Sequence, residues 1–339
     1  MMFKYDWSRF DAKLGLIFMV GALVVFNLSS RFEFALFAAG ISALLAWLTI
    51  VLVPGRRRSR HLLGLGVYLV VGVVLTWLAD LVLSHGWLKL VAMGIVTFAG
   101  YMMLLRGAHA FMVAWCLVYW YLLAPLFLGE KGLGPVVLGH VVGVCLVVAL
   151  NLLKPVWTRA SGGSTAETDV TEASDEERLP LGIVVRYSSI VSVSIVTGVA
   201  AGARWLTADP TLIANATLNV ISPSLDQTWR NGLERVILGT LGIVGGFYFG
   251  WFFPGPWVGL LVTAACSFLA LAVTRVSFGL LIGVFFFLLS YPWGAMHSDL
   301  GHLIANEKLI GELVGVLVAV VAIAVLARLQ RRDGCSSDG

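Results

Sequence analysis

Apolar residues come in long unbroken runs along this chain, and clusters of charge, Pro and Gly interrupt them at short intervals. The breaks delimit twelve segments. Those of the first half are Ala12–Leu28, Phe34–Val53, Leu62–Leu83, Trp87–Leu105, Ala110–Leu128 and Pro135–Leu153. Those of the second half are Gly182–Ala203, Thr211–Ile221, Val236–Phe253, Trp257–Thr274, Val276–Tyr291 and Leu309–Ala327. No run alternates with the two-residue period of a strand, so each predicts a helix. A helix needs about 20 apolar residues to cross a bilayer, and most segments approach that length. The pattern predicts an all-α polytopic membrane protein with twelve transmembrane helices. The first run, Leu14–Phe26, sits behind Lys4, Arg9 and Lys13 like a signal peptide. No small-residue cleavage site follows it, so it is expected to remain as the first span.

One stretch breaks the pattern. Ser161–Glu177 is small, polar and acidic without apolar period, the composition of a disordered linker. The expected organisation is a first six-span membrane repeat over 1–154, a disordered acidic cytoplasmic linker over 155–180, a second six-span repeat over 181–329 and a cytoplasmic tail over 330–339. The halves share motifs in a common order. Arg60-x-x-x-Gly64 opens the third span and Arg235-x-x-x-Gly239 the ninth. Arg106 closes the fourth and Arg275 the tenth, and Phe111 with Pro125 are spaced like Phe278 with Pro292. Gly139-x-x-Val142-Gly143-Val144 in the sixth span matches Gly311-x-x-Val314-Gly315-Val316 in the twelfth. An even number of spans per repeat makes the two halves parallel, related by an axis along the membrane normal.

Composition narrows the class. Of 339 residues 59% are hydrophobic and 12% charged, against about 25% charged in an ordinary soluble domain. Soluble enzymes, nucleic-acid binders and disulfide scaffolds are excluded. With the N-terminus in the cytoplasm, only Arg31, Lys89, Lys131, Arg204 and Lys308 of the 23 Lys and Arg fall outside. That asymmetry predicts a multi-pass chain with both termini cytoplasmic. Trp77, Trp87, Trp205, Trp251, Trp257 and Trp293 fall near the expected outer ends, as an interfacial belt does.

Polar residues at membrane depth are costly and mark candidate chemistry. The eighth segment is too short to cross as a plain helix and holds Asn215, Thr217 and Asn219. It lines a transport site, or it starts near Trp205 and bonds to neighbouring helices; both readings stand. Gly239-Thr240-Leu241-Gly242 with Gly245 and Gly246 suits close helix packing better than an exposed anion site. His140 and Glu312 match through the repeat and are candidate proton carriers. The bland alternatives weigh more: a His bonded to a nearby helix, and a Glu that snorkels or pairs with Lys308. The aromatics Trp115, Tyr119, Trp120 and Phe285–Phe287 read as packing before stacking on a substrate, and Ser188, Ser189, Ser192 and Ser194 as a small polar face. His297, Asp299 and His302 read as solvated loop, and Cys116, Cys145, Cys266 and Cys335 have no metal-ligand spacing. No catalytic or nucleotide-binding motif occurs, so neither an enzyme nor a cofactor or metal is expected.

The stretch Ile221-Ser-Pro-Ser-Leu-Asp-Gln-Thr-Trp-Arg-Asn-Gly-Leu-Glu-Arg235, followed by Gly239-Thr240 and further glycines, resembles the signature of the fusaric acid resistance and aromatic acid exporter family. Lys308-x-x-x-Glu312-x-x-Gly315 is similar to that family's last span. The resemblance implies a secondary exporter of aromatic or other organic acids in a bacterial inner membrane, coupled to the proton gradient. The alternatives are a passive organic-anion channel built from the same halves, or a membrane scaffold. Expected partners are a small organic acid and the lipid bilayer, with no nucleic acid; a homo-oligomer is left open. Candidate substrate-binding residues are Arg235, Thr240, Asn215, Thr217, Asn219 and Arg60, and candidate proton-coupling residues Glu312 and His140. Arg235 carries the most weight because guanidinium binds carboxylate through two parallel hydrogen bonds. A plain sidedness signal, or a local pair with Glu234 or Asp226, explains it nearly as well.

Overall fold

The structure, a computed structural model, describes residues 7–32, 35–51, 58–153, 180–205, 211–221, 225–274, 276–295 and 299–335. Among these residues it is helical throughout, without strands. A 3-10 turn at Trp7–Arg9 leads into α1 (Ala12–Phe32), α2 (Leu36–Val51), α3 (Arg58–Leu83) and α4 (Gly86–Met102). Then come α5 (Ala108–Lys131), α6 (Leu133–Leu152), α7 (Leu181–Trp205), α8 (Thr211–Val220) and α9 (Leu225–Phe252). The last are α10 (Pro256–Val273), α11 (Phe278–Ala295) and α12 (Asp299–Cys335). A helix therefore lies on each of the twelve apolar segments. Among the described residues eight are long and apolar enough to cross a membrane, and α1, α2 and α11 carry shorter apolar stretches. The acidic linker expected at 155–180 lies outside the described residues apart from Pro180.

Local signals set several boundaries. Asp11 caps α1, its Oδ1 accepting from the Leu14 N–H at 3.0 Å. Gly107 and Gly132 flank α5 at φ 95° and 76°, a conformation a side chain resists. Pro256 stands in the first turn of α10, where its missing N–H costs nothing. Two boundaries depart from the apolar pattern. The run predicts a ninth span from Val236, but α9 begins about three turns earlier at Leu225. Charged residues on one face of a helix lower its hydropathy without breaking it. Likewise Asp299 and His302, expected in a loop, lie on α12, and His297 is outside the described residues.

The chain forms two compact units, Gly21–Ser192 and Met1–Val20 with Val193–Gly339. In the first, α2 is buried along most of its length, including Ala38, Ala39, Ala43 and Trp47. It packs on α6 through glycines: a Cβ on Gly143 would run into the Ala39 carbonyl and lie 2.9 Å from the Ala43 amide nitrogen. By contrast α3 turns Leu63, Val67, Val70, Val74, Trp77 and Leu81 outward, the three- and four-residue spacing of a lipid-facing stripe.

In the second unit α8 holds the central position. Its ten residues span about 15 Å, half the hydrocarbon core of a bilayer. Every side chain from Ile213 to Leu218 is buried. Such a short helix is tolerated at membrane depth only where protein covers its ends. It packs on α12 as α2 packs on α6: a Cβ on Gly315 would lie 2.7 Å from the Ile213 carbonyl and 3.2 Å from the Thr217 amide. Along α9, Gly242, Gly246 and Gly250 meet the carbonyls of Gly283, Phe287 and Tyr291 on α11 so closely that any Cβ would collide. The glycines thus serve packing, as weighed from the sequence.

Candidate functional site

The register of α9 decides where Arg235 points. Leu233, Ile237, Leu241, Val244 and Tyr248 are exposed, a lipid-facing stripe. Arg235 lies on the opposite face with Gly239, Gly242 and Gly246 and is only 2% exposed. On α12 Ile310, Leu313, Leu317 and Val321 are exposed, and Glu312, 4% exposed, turns inward with Val316 and Ala319. The two charges meet. Arg235 Nε donates to Glu312 Oε2 at 2.5 Å and Nη2 donates to Oε1 at 2.7 Å, a two-pronged fork.

The surroundings fit that fork. Phe286 of α11 lies with its ring centroid 5.4 Å from the guanidinium carbon, close enough for a cation–π contact. Gly239 lies against the same ring, where a Cβ would be in ordinary contact at 3.5 Å. Next to Arg235, Glu234 accepts from the Ser277 hydroxyl at the start of α11. Ser277 Oγ in turn accepts from the Gly279 N–H at 3.0 Å, capping that helix and tying it to α9 beside the ion pair. Removing two charges from water costs several kcal/mol each, which their attraction and hydrogen bonds must offset. A buried pair at membrane depth is thus a poor device for stability alone and a marker of function.

Of the candidate residues, the structure brings Arg235 and Glu312 together, although the sequence suggested separate roles and local partners for them. Thr217 is one turn away: its Oγ1 reaches the Ile213 carbonyl at 2.9 Å and the Gly315 carbonyl at 3.1 Å, a bond between helices. Asn215 is 3% exposed, and neither side-chain atom has a hydrogen-bond partner among the described residues. Asn219 and Thr240 are half-buried. In the other unit Arg60 is exposed near the start of α3. His140, fully buried, bonds through Nδ1 to Ser42 Oγ at 2.7 Å and through Nε2 to the Leu69 carbonyl at 3.3 Å. Its ring lies 4.6 Å from that of Trp120. The helix-bonded alternative describes His140. Sequence reasoning named Phe286 only within an aromatic stripe and missed Ser277 and the buried Glu307, whose Oε1 has no partner among the described residues. One signal pointed to the pair: Arg235 and Glu312 are both costly in apolar helices unless they meet. Among the described residues no three His, Cys, Asp or Glu side chains gather as a metal site requires.

Among the described residues, eight helices of membrane length define a multi-pass membrane protein. Residues 195–322 match a family model described as fusaric acid resistance protein-like, which supports the family resemblance of the second half. The matched stretch contains both members of the ion pair. Proteins of that family are membrane transporters rather than enzymes. No curated protein and no solved structure matches the chain.

Proposed function

We propose that the protein is a secondary exporter of aromatic or other organic acids and that Arg235 holds the substrate carboxylate. The observation that carries this reading is the fork on Arg235. A carboxylate already lies in it with the geometry an organic anion would take, and an aromatic ring lines it. Asn215 adds a buried amide on α8 with nothing to bond among the described residues, suited to a hydroxyl or carbonyl of the substrate. A helix on each of the twelve apolar segments, with the like glycine contacts of α2 with α6 and α8 with α12, favours twelve spans in two parallel repeats. The basic asymmetry favours an inner-membrane orientation with both termini cytoplasmic.

Benzoate flux in proteoliposomes tests this. Wild-type flux is expected and should respond to an imposed pH gradient; flux that follows the benzoate gradient alone makes the protein a passive channel, and none at all leaves a scaffold. Arg235→Lys keeps the charge and loses the fork. It should insert normally and lower flux at least tenfold, and wild-type flux would remove Arg235 from anion recognition. Asn215→Leu relieves a buried unpaired amide that costs about 1–3 kcal/mol. It is expected to match or exceed wild type in thermal unfolding in detergent while benzoate flux falls.

A further inference from the structure

We infer that Glu312 is a built-in competitor for the anion site, so that each organic anion bound at Arg235 brings one proton onto Glu312. This rests on the organic-anion reading of Arg235. Nε and Nη2 of Arg235 form a pair of parallel donors of the kind a carboxylate ligand takes, and Glu312 Oε2 and Oε1 hold both. Phe286 covers one face of the guanidinium, and the pair is buried. A second carboxylate cannot share that fork, because two like charges at such distance in a low-dielectric site repel by several kcal/mol. Glu312 must therefore give way, and a displaced carboxylate buried here stays charged only at great cost.

Protonation resolves both problems. The proton goes onto Glu312, the fork opens, and the substrate carboxylate takes the two donors. Before the exchange the site holds a guanidinium and a carboxylate. Afterwards it holds the guanidinium, the substrate carboxylate and a neutral carboxylic acid. Net charge is zero in both states, which is what a passage through low dielectric favours. Anion and proton then move together without net charge, so export runs on the acid's own outward gradient and an inward pH gradient opposes it.

No other described ionisable group at this level takes Glu312's place. Arg235 faces it from α9, where Glu234 turns to Ser277 of α11 and Arg230 is exposed. The helix α8 has no ionisable side chain, and α11 has only Tyr291, bonded to the Phe253 carbonyl. Gly198 brings α7 against Val318, but its Arg204 is exposed. On α12 itself the nearest with a described side chain is Glu307.

Benzoate binding to the full-length protein in detergent, followed as a function of pH, tests this. Wild-type affinity should rise as pH falls, approaching about tenfold per pH unit while benzoate stays ionised, the limit for one linked proton. Glu312→Gln should bind benzoate with an affinity independent of pH. In weakly buffered solution, benzoate added to wild type should draw about one proton per molecule bound, read with a pH indicator and needing no variant. Binding that persists with no proton uptake and no pH slope overturns the exchange and leaves Arg235 as the anion site. Wild type that neither binds nor transports benzoate or related acids overturns both.

Discussion

Arg235→Met alone should lower stability by about 3–5 kcal/mol, whereas Arg235→Met combined with Glu312→Leu should recover most of that loss. The single change leaves a carboxylate buried beside Phe286 without its cation. The double change removes both charges and fills the space with apolar atoms, which buried pairs often tolerate. Neither variant should transport. Thermal midpoints in detergent, set beside benzoate flux, read the two effects separately. A single variant as stable as wild type would mean that the pair is solvated, and a double variant that still transports would move the site elsewhere.

The second large effect concerns the contact of α9 with α11. Gly246→Ala places a methyl group into the Phe287 carbonyl, where backbone rather than a flexible side chain blocks it. Forcing extra carbon into a packed contact costs about 1–3 kcal/mol, and here it also pushes Arg235 and Phe286 out of register. Gly66→Ala on the exposed side of α3 is the control, since a Cβ there meets nothing within 4 Å. That change should stabilise by up to about 1 kcal/mol, the ordinary gain of Ala over Gly in a helix. Two chemically identical substitutions are thus expected to shift the thermal midpoint in opposite directions. Equal shifts would disprove the close approach of α9 and α11.

Much of this fold was legible because the membrane imposes simple rules. Each of the twelve apolar runs carries a helix, and the glycines of the ninth run pack as small-residue patterns in membrane helices usually do. The bonded reading of His140 also follows from the cost of burying an imidazole alone. What periodicity could not show was depth and partner. The apolar run starts the ninth span at Val236 and leaves Asp226, Arg230, Glu234 and Arg235 before it, because hydropathy averages over a window. Yet α9 runs straight through them and carries Arg235 about 15 Å along its axis. Local spacing offers Glu312 a proton-coupling role, a snorkelling position or a pair with Lys308, whereas its cation stands 77 residues away. A contact between helices that distant in sequence leaves no trace in local spacing. Arg60 and Arg235 share a motif, but one is exposed and the other buried.

The separation between Arg235 and Glu312 also has a meaning in time. A ribosome working at about 5–20 residues per second makes Arg235 roughly 4–15 s before it makes Glu312. Over that interval α9 would enter the bilayer before the carboxylate that holds its guanidinium exists. Until then α9 has every reason to slide toward the headgroups, where Arg235 and its neighbours find water and phosphate. Arrival of α12 draws the helix to its final depth. A chain cut short before Glu312 would lack that pull, and a membrane protease would find an unfinished helix to seize.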